Sequence, residues 1–241
     1  MWFYATGELV GYVQYDPSGS CDMTVLPSCN TAAVEELMID WAEQRCDKRK
    51  LTVGCLDSNL ERRAMLERRG FQSTGQGYAR FLRDLTAAMQ ESPLPAGYRM
   101  KSVEGIQDFL GLSETGSQIY GRSALLADRY ERMLASGQFV VGQDIVVLDS
   151  QDHVAAACIW WYDEVNQVGE FEPIGCHPAH RRKGLASALI AEGCQRIRSR
   201  GGKCAIVYTS SKNVAAVQCY ETCGFKVTGS DCDFFKVLKR S

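Results

Sequence analysis

The chain has 241 residues, of which 45% are apolar and 23% are charged, and its formal net charge at pH 7 is −2. This length and apolar content suffice for one large domain or two small domains with hydrophobic cores. Nucleic-acid-binding domains usually carry a basic surface, so the near balance of charges argues against a nucleic-acid partner. The longest uncharged apolar run, 154–162, is too short to span a bilayer. We therefore expect neither a nucleic-acid nor a membrane partner.

The N-terminus and the cysteines indicate a cytoplasmic protein. The first ten residues contain no basic segment and predict a strand and a turn rather than a signal peptide. The eleven cysteines form no Cys-x-x-Cys pair, which favours reduced thiols. Cys219 and Cys223 would share a helix face, but no further ligand lies nearby in sequence, so we predict no metal site. His177 and His180 flank a basic loop, and we assign them to the loop surface rather than to a metal site.

The first part of the sequence predicts strands followed by alternating helices and strands. Turn-forming residues separate segments rich in β-forming residues, and apolar residues recur at helical spacing in the predicted helices. Gly70 is expected to end the second helix. The predicted strands are 2–5, 9–15, 21–26, 51–56 and 78–85, and the predicted helices are 31–47 and 59–69.

A segment with two prolines and a glycine, 91–97, separates the two halves and indicates a linker. We therefore predict an incomplete domain at 1–92, a linker at 93–97 and a complete domain at 98–241. The second half predicts strands at 98–103, 144–149, 153–162, 170–176, 205–209, 225–228 and 234–238, with helices near 104–120, 124–136, 184–200 and 213–223.

The two halves contain an internal repeat. Asn59 precedes Gly70 by eleven positions, and Asn213 precedes Gly224 by the same distance; phenylalanine follows each glycine. The order of predicted elements around each helix is also the same. A repeat of this kind indicates two copies of one mixed α/β unit, of which the first lacks a counterpart of 98–137.

The segment 177–186 combines features of a phosphate-binding loop. It lies between a predicted strand and an amphipathic helix, where free backbone N–H groups and the positive helix end converge. Its basic residues add positive charge, and its small residues let a phosphate approach the backbone. An ordinary helix start on a solvated basic loop is the alternative. The residues concerned are Arg181, Arg182, Lys183, Gly184 and Ala186.

Downstream of this loop the same copy carries Asn213, Tyr220 and Gly224, followed by phenylalanine, and upstream it carries the strand sequence Phe-Glu-Pro-Ile-Gly-Cys-His-Pro at 171–178. This arrangement resembles the GNAT superfamily of N-acetyltransferases, in the tandem layout of mycothiol synthase-like proteins, over about 97–239. The resemblance implies an α/β fold of two tandem domains, each a twisted, mostly antiparallel sheet flanked by helices, with a truncated N-terminal copy.

The resemblance also implies acetyl-CoA as co-substrate. Backbone N–H groups of 181–186, including that of Leu185, would hold the pyrophosphate, and Asn213 would help to position the coenzyme. One strand segment would splay from its neighbour and pair with the pantetheine arm. It consists of Ile174, Gly175 and Cys176.

Tyr220 would be the general acid that protonates the departing thiolate, because a phenol with a pKa of ~10 is protonated at neutral pH. The amine acceptor must lose a proton, and a carboxylate is the usual base. Glu170 and Glu172 would face the same side of a strand, where burial and mutual repulsion raise a pKa. Glu170 matches a catalytic glutamate in mycothiol synthase-like proteins, so we favour it over Glu172. The alternative is that either glutamate lies at the strand edge and only binds substrate or solvent.

The first copy lacks this chemistry. Its matching loop, 26–34, contains no basic residue, and Leu66 stands where Tyr220 would be. We therefore expect a non-catalytic first copy that serves as a scaffold for the acceptor pocket. Its missing first strand predicts an exposed sheet edge, which a partner chain or residues further upstream would cover.

We predict an acyl-CoA-dependent N-acyltransferase that transfers acetyl to a primary amine of a small molecule by direct attack, without a covalent enzyme intermediate. Acetylation of a peptide or protein amine is the second possibility, and a non-catalytic acyl-CoA-binding module is the third. The expected assembly is a monomer or a homodimer.

Overall fold

The computed structural model describes residues 1–29, 31–88, 92–104, 119, 127–137 and 139–238. The predicted helix at 104–120 lies almost wholly outside these residues. The strands are β1 (Trp2–Phe3), β2 (Leu9–Asp16), β3 (Ser20–Val25), β4 (Lys50–Leu56), β5 (Gln72–Ser73), β6 (Tyr78–Asp84), β7 (Arg99–Ser102), β8 (Asp144–Leu148), β9 (Val154–Asp163), β10 (Val168–Cys176), β11 (Cys204–Ser210) and β12 (Lys226–Val237). The helices are α1 (Thr31–Arg45), α2 (Leu60–Arg68), α3 (Ala127–Ala135), α4 (Leu185–Ser199) and α5 (Val214–Thr222). None of the helices in this part of the chain has the length and apolarity needed to cross a membrane.

Packing divides the chain into two units. The first comprises Met1–Arg80, Thr209–Lys212 and Val227–Ser241, and the second comprises Phe81–Tyr208 and Asn213–Lys226. The units therefore do not follow the linear order of the chain. The boundaries of the two sequence copies at 1–92 and 98–241 stay a prediction.

The first unit has strands in the order β1-β2-β3-β4-β12, with β5 beside β12. β3 and β4 are parallel, and the other neighbouring pairs are antiparallel. Alternate residues of β4 are buried, so one face of the sheet forms a core with α1 and α2. Fully buried members of this core include Met38, Ile39, Leu51, Val53 and Leu66.

The prediction that two separate strands, 225–228 and 234–238, complete the second sheet is wrong. β12 is one strand of 12 residues, and its segment from Asp231 to Val237 pairs with β4 in the first unit. Phe234 is fully buried in the first unit's core, which fixes this pairing. The polar residues before Phe234 suggest an interruption between two strands. The strand continues through them, because an extended strand tolerates polar side chains on its less buried face.

The second unit has strands in the order β11-β10-β9-β8-β7. β10 and β11 are parallel, and the other pairs are antiparallel. α4 covers one face: a Cβ on Gly169 would collide with Ile197, and a Cβ on Gly193 would collide with Phe171. Because side chains alternate along a strand, Glu170 faces the opposite side from Gly169 and Phe171.

The internal repeat corresponds to one helix geometry used twice. The Asn59 side chain accepts a hydrogen bond from the backbone N–H of Arg62 at 3.0 Å, and Asn213 accepts one from Ala216 at 3.3 Å. Each asparagine therefore caps the N-terminus of its helix. The repeated asparagine is explained by capping in both copies.

The repeated glycines end the same two helices. Gly70 and Gly224 have φ values of 83° and 81°, a conformation that side chains disfavour. The N–H that follows each glycine donates to the carbonyl of Leu66 in α2 and of Tyr220 in α5, as in a Schellman motif. Leu66 and Tyr220 therefore occupy equivalent positions. The absence of a hydroxyl at Leu66 supports the prediction that the first copy does not catalyse, which stays a prediction.

A buried carboxyl in β8 makes stability depend on pH. Asp144 is 3% exposed, and within the described part of the chain its Oδ2 has no hydrogen-bond partner. Burial raises the pKa of Asp144 from 3.8 to about 7. The folded state therefore retains a proton that the unfolded chain loses above pH 3.8. The free energy of unfolding must then decrease as the pH rises from 3.8 to about 7.

Asp144→Asn should remove this dependence, because asparagine is neutral and nearly isosteric. We expect the variant to exceed wild type in free energy of unfolding by roughly 2–4 kcal/mol at pH 8, since one pKa unit corresponds to ~1.4 kcal/mol. Urea denaturation at pH 5 and pH 8 would measure the difference, with Asp47→Asn as an exposed control. An equal gain at both pH values would contradict a titrating Asp144.

Candidate active site

A cleft of about 390 Å³ lies at the N-terminus of α4. Its walls come from the end of β10, the following loop, the first turn of α4 and one face of α5. Six of the ten residues predicted to bind the coenzyme line it. The lining residues are Cys176, His180, Arg181, Arg182, Gly184, Leu185, Ala186, Ser187, Ala215, Gln218, Cys219 and Thr222.

The loop between β10 and α4 has an unusual backbone. A 3₁₀ turn, Pro178–His180, follows β10, and then Arg182 and Gly184 adopt positive φ values of 62° and 79°. A Cβ on Gly184 would meet no atom within 4 Å, so glycine both permits this φ and keeps the cleft open. The first N–H groups of α4 have no partner within the helix, and the first turn carries no acidic residue. This end of α4 therefore favours an anion.

Two predicted coenzyme ligands have other partners. Lys183 Nζ donates a hydrogen bond to the hydroxyl of Tyr98 at 2.9 Å. Asn213 is the cap of α5 described above. Among the described residues that line the cleft, neither Lys183 nor Asn213 is found.

β10 and β11 diverge in the middle of the second unit. Within the described residues their parallel pairing ends at Glu170 and Ile206, although both strands continue. Ile174, Gly175 and Cys176 pair with β9 on the other side of β10, after a register shift between Phe171 and Ile174. Among the described residues, the β10 edge that faces β11 therefore has no strand partner beyond Glu170, and this edge is available to an extended ligand.

A second, larger cavity of about 1010 Å³ lies at the N-terminal end of β10. Glu170 lines this cavity, and the charged lining residues are three acids and one arginine. A negative cavity of this kind favours a protonated amine. The described lining residues are Gly137, Val140, Gln143, Trp161, Tyr162, Asp163, Glu164, Asn166, Val168, Glu170, Arg200 and Ile206.

The two candidate bases have different surroundings. Burial raises the pKa of Glu170, and the charge of Glu172 raises it further. Glu172 is exposed, and its backbone carbonyl accepts a hydrogen bond from Trp161 Nε1 at 2.8 Å. Of the two glutamates only Glu170 is among the described residues that line the larger cavity. The geometry therefore supports Glu170 as the base, which stays a prediction.

Tyr220 lies on α5, next to the cleft residue Cys219. Its side chain is buried, and its ring makes edge contacts with Phe81 and Phe225 at centroid distances of 5.7 and 6.1 Å. Burial raises the pKa of Tyr220 above 10, and the charges of Cys219 and Glu172 add to this effect. The phenol is therefore protonated at neutral pH, as a general acid requires.

A polar network that no sequence pattern predicts lies beside the loop. The Tyr98 hydroxyl lies 2.9 Å from His180 Nδ1, and His180 Nε2 lies 3.7 Å from a carboxylate oxygen of Asp149. The prediction that His180 lies at a loop surface omits these two polar contacts. Tyr98 and Asp149 are far from His180 in sequence, so no local pattern would have joined them.

Comparison with known proteins agrees with this geometry. Residues 113–225 match the family model described as the Acetyltransferase (GNAT) family. A mycothiol acetyltransferase from Cellulomonas flavigena is 37% identical over 65 residues, which cover 27% of this chain and 19% of that protein. A mycothiol acetyltransferase from Corynebacterium aurimucosum is 30% identical over 77 residues, covering 32% of this chain and 25% of that protein. The chain thus matches a quarter or less of the length of these relatives.

Solved structures share the fold. A GCN5-related N-acetyltransferase from Sphaerobacter thermophilus superposes with a TM-score of 0.77 at 16% identity, over 99% of this chain and 80% of the other. A tandem GNAT protein from the clavulanic acid biosynthesis pathway superposes with a TM-score of 0.73 at 13% identity, over 99% of this chain and 82% of the other. The predicted α/β fold is confirmed. Residues 113–225 are thus similar to the GNAT family of acetyltransferases, and the chain shares the fold of these two solved structures.

Proposed function

We propose that this chain transfers an acetyl group from acetyl-CoA to a primary amine of a small molecule, by direct attack of the amine on the thioester. The observation that carries the proposal is the continuity of three features along β10. An anion-binding cleft lies at one end, an unpaired strand edge follows, and an acidic cavity with Glu170 lies at the other end.

The coenzyme-binding residues act through both backbone and side chains. The backbone N–H groups at the start of α4 hydrogen-bond the pyrophosphate, and Arg181 and Arg182 supply positive charge beside it. The unpaired edge at Ile174, Gly175 and Cys176 pairs with the amide groups of the pantetheine arm. Lys183 and Asn213 contribute by holding the loop and α5 in place, since their side chains are engaged elsewhere.

Glu170 and Tyr220 handle the protons. Glu170 accepts the proton of the incoming ammonium, directly or through water, so that the neutral amine attacks the thioester carbonyl. As the tetrahedral intermediate collapses, Tyr220 donates a proton to the departing thiolate of coenzyme A. The nitrogen loses its remaining extra proton, which returns through solvent to the Tyr220 phenolate, so that the neutral amide and the phenol are both formed. No covalent enzyme intermediate is formed. Much of the rate enhancement therefore comes from holding the amine and the thioester in the geometry of attack.

A small-molecule acceptor is supported by the named relatives and by the cavity. The relatives carry the name mycothiol acetyltransferase, which designates a small-molecule acetyl acceptor. The larger cavity combines acidic residues with the aromatic ring of Trp161, a lining suited to a compact cationic amine.

Calorimetric titration with acetyl-CoA tests the coenzyme site. Wild type should bind at one site per chain, whereas a variant with Arg181→Glu and Gly184→Trp should bind roughly 100-fold more weakly, since hydrogen bonds to charged groups contribute ~1.5–3 kcal/mol each. Arg198→Glu changes the charge equally at the exposed C-terminal turn of α4 and should bind like wild type.

The outcomes separate the alternatives. Absence of binding to folded wild type, checked by circular dichroism, would contradict the proposal. If the Arg181→Glu, Gly184→Trp variant binds acetyl-CoA as tightly as wild type, the coenzyme must bind at another site. Binding without acetyl transfer to any of a panel of small amines and peptides would favour a non-catalytic acyl-CoA-binding module.

A further inference from the structure

The loop that precedes α4 is fastened to the rest of the second unit by the side chain of one tyrosine. Lys183 Nζ lies 2.9 Å from the Tyr98 hydroxyl, and that hydroxyl lies 2.9 Å from His180 Nδ1. The rings of Tyr98 and His180 also meet edge to face, at a centroid distance of 5.7 Å. Two side chains of one short loop therefore converge on a single hydroxyl group that lies outside the loop.

The chemistry of the donors fixes the direction of these hydrogen bonds. An ammonium group has only donors, so the Tyr98 oxygen accepts from Lys183 and its O–H is left to donate to His180 Nδ1. His180 is then neutral, with its proton on Nε2, which faces Asp149 at 3.7 Å. The network therefore depends on neutral His180.

The conformation of the loop explains why such fastening is needed. Arg182 lies between the two anchored residues and has a φ of 62°. A side chain disfavours this left-handed conformation, which persists only where the surroundings fix it. Arg181 adds a weaker link, from its Nε to the carbonyl of Cys176 at 3.4 Å.

The charges around His180 favour its neutral form overall. Burial lowers the pKa of His180 most, and the positive charge of Lys183 lowers it further. His177 and His153 act in the same direction, whereas Asp149 raises the pKa. Protonation of His180 removes the acceptor of the Tyr98 hydroxyl and adds a second positive charge beside Lys183.

We propose that Tyr98 is a positioning residue for coenzyme binding: by joining Lys183 to His180, its hydroxyl holds the loop in the conformation that receives the pyrophosphate. This inference rests on the proposed function. Lys183 then acts through Tyr98 and not by contact with the phosphates. The affinity for acetyl-CoA decreases when His180 is protonated, because the same hydroxyl loses its acceptor.

Tyr98→Phe removes only the hydroxyl. The variant should raise the Kd and KM of acetyl-CoA about tenfold, the size of one lost hydrogen bond, while kcat at saturating acetyl-CoA stays unchanged. Tyr12→Phe, at an exposed position in β2 of the first unit, is the matched control. If wild type binds acetyl-CoA and Tyr98→Phe has the same Kd, this inference is overturned and the proposed function is not. Failure of wild type to bind would overturn the proposed function as well.

A double-mutant cycle tests the role of Lys183. If Lys183 acts through Tyr98, then Lys183→Met should raise the Kd by a similar factor, and the double variant should be no weaker than either single variant. If the factors by which the two substitutions raise the Kd multiply in the double variant, the two residues act independently. Lys183 would then contact the phosphates itself, which would overturn the inference. This cycle remains informative if Tyr98→Phe lowers the thermal stability, provided that the variants are folded.

The pH dependence tests the role of His180. Wild-type affinity should weaken as the pH falls from about 7.5 to about 5.5, a range that includes the ordinary histidine pKa of ~6.5. His180→Asn keeps an acceptor near the position of Nδ1 but does not titrate, so it should lose this part of the pH dependence. Identical pH profiles for the two proteins would contradict the inference.

NMR titration gives a readout without coenzyme. The chain has three histidines, so the His180 resonance is identified by its loss in His180→Asn. Tyr98→Phe should raise the pKa of His180, because the hydrogen bond that stabilises the neutral ring is lost. An unchanged titration would show that the network does not form in solution.

Discussion

Tyr220→Phe should lower kcat by about 100-fold or more, the typical contribution of a general acid, and should leave the Kd of acetyl-CoA nearly unchanged. The substitution removes one oxygen atom and keeps the ring that packs against Phe81 and Phe225. The fold should therefore survive, and the loss should fall on the chemical step. Steady-state kinetics combined with calorimetry on the same preparation would measure both quantities.

Tyr78→Phe provides the control, because Tyr78 is half exposed and belongs to the first unit. A kcat in Tyr220→Phe equal to that of wild type would mean that Tyr220 serves only to pack α5. The departing thiolate would then obtain its proton from another group or from water. A parallel loss of coenzyme affinity would instead indicate a structural defect in the cleft.

Glu170→Gln should also lower kcat/KM about 100-fold near neutral pH, because glutamine cannot accept the ammonium proton. The pH dependence gives a second signature. Burial raises the pKa of Glu170, so the wild-type kcat/KM should decrease as the pH falls through that raised pKa and the carboxylate becomes protonated. In Glu170→Gln this acidic limb of the profile should disappear.

Glu172→Gln is the matched control for the base. Glu172 is exposed, and its backbone rather than its carboxylate is used by Trp161. Its loss should change activity only a few-fold, mainly by lowering the pKa of Glu170 when the neighbouring charge is removed. If Glu172→Gln lost the acidic limb and Glu170→Gln kept it, the assignment of the base would have to be reversed.

The sequence was most informative where structure depends on neighbouring residues. The loop before α4 was predictable because Gly184, the basic residues and the helical apolar spacing all lie within one short segment. The cap positions of α2 and α5 were visible as a repeat, since capping and helix termination follow local rules. The rising pKa of Glu170 followed from its place in a central strand.

Contacts between distant segments were not predictable. The partner of β12 depends on which sheet buries Phe234, and no spacing within β12 specifies that choice. The side chain of Lys183 was expected near the phosphates because its charge suits them. Its hydrogen bond to Tyr98 joins residues that lie 85 positions apart in sequence, and the residues around Lys183 do not encode it.

The pairing of β12 with β4 determines when the first unit can be completed during protein synthesis. Asp231 pairs with Leu56, so the partners lie 175 positions apart in sequence. At a synthesis rate of ~5–20 residues per second, roughly 10–35 s pass before the last strand emerges. Throughout this interval β12 is not available to pair with β4. The edge of β4 that later receives β12 is then open, and such edges can pair wrongly with other chains. Synthesis of the first unit thus begins before that of the second, but the sheet of the first unit is completed only after β12 has been made.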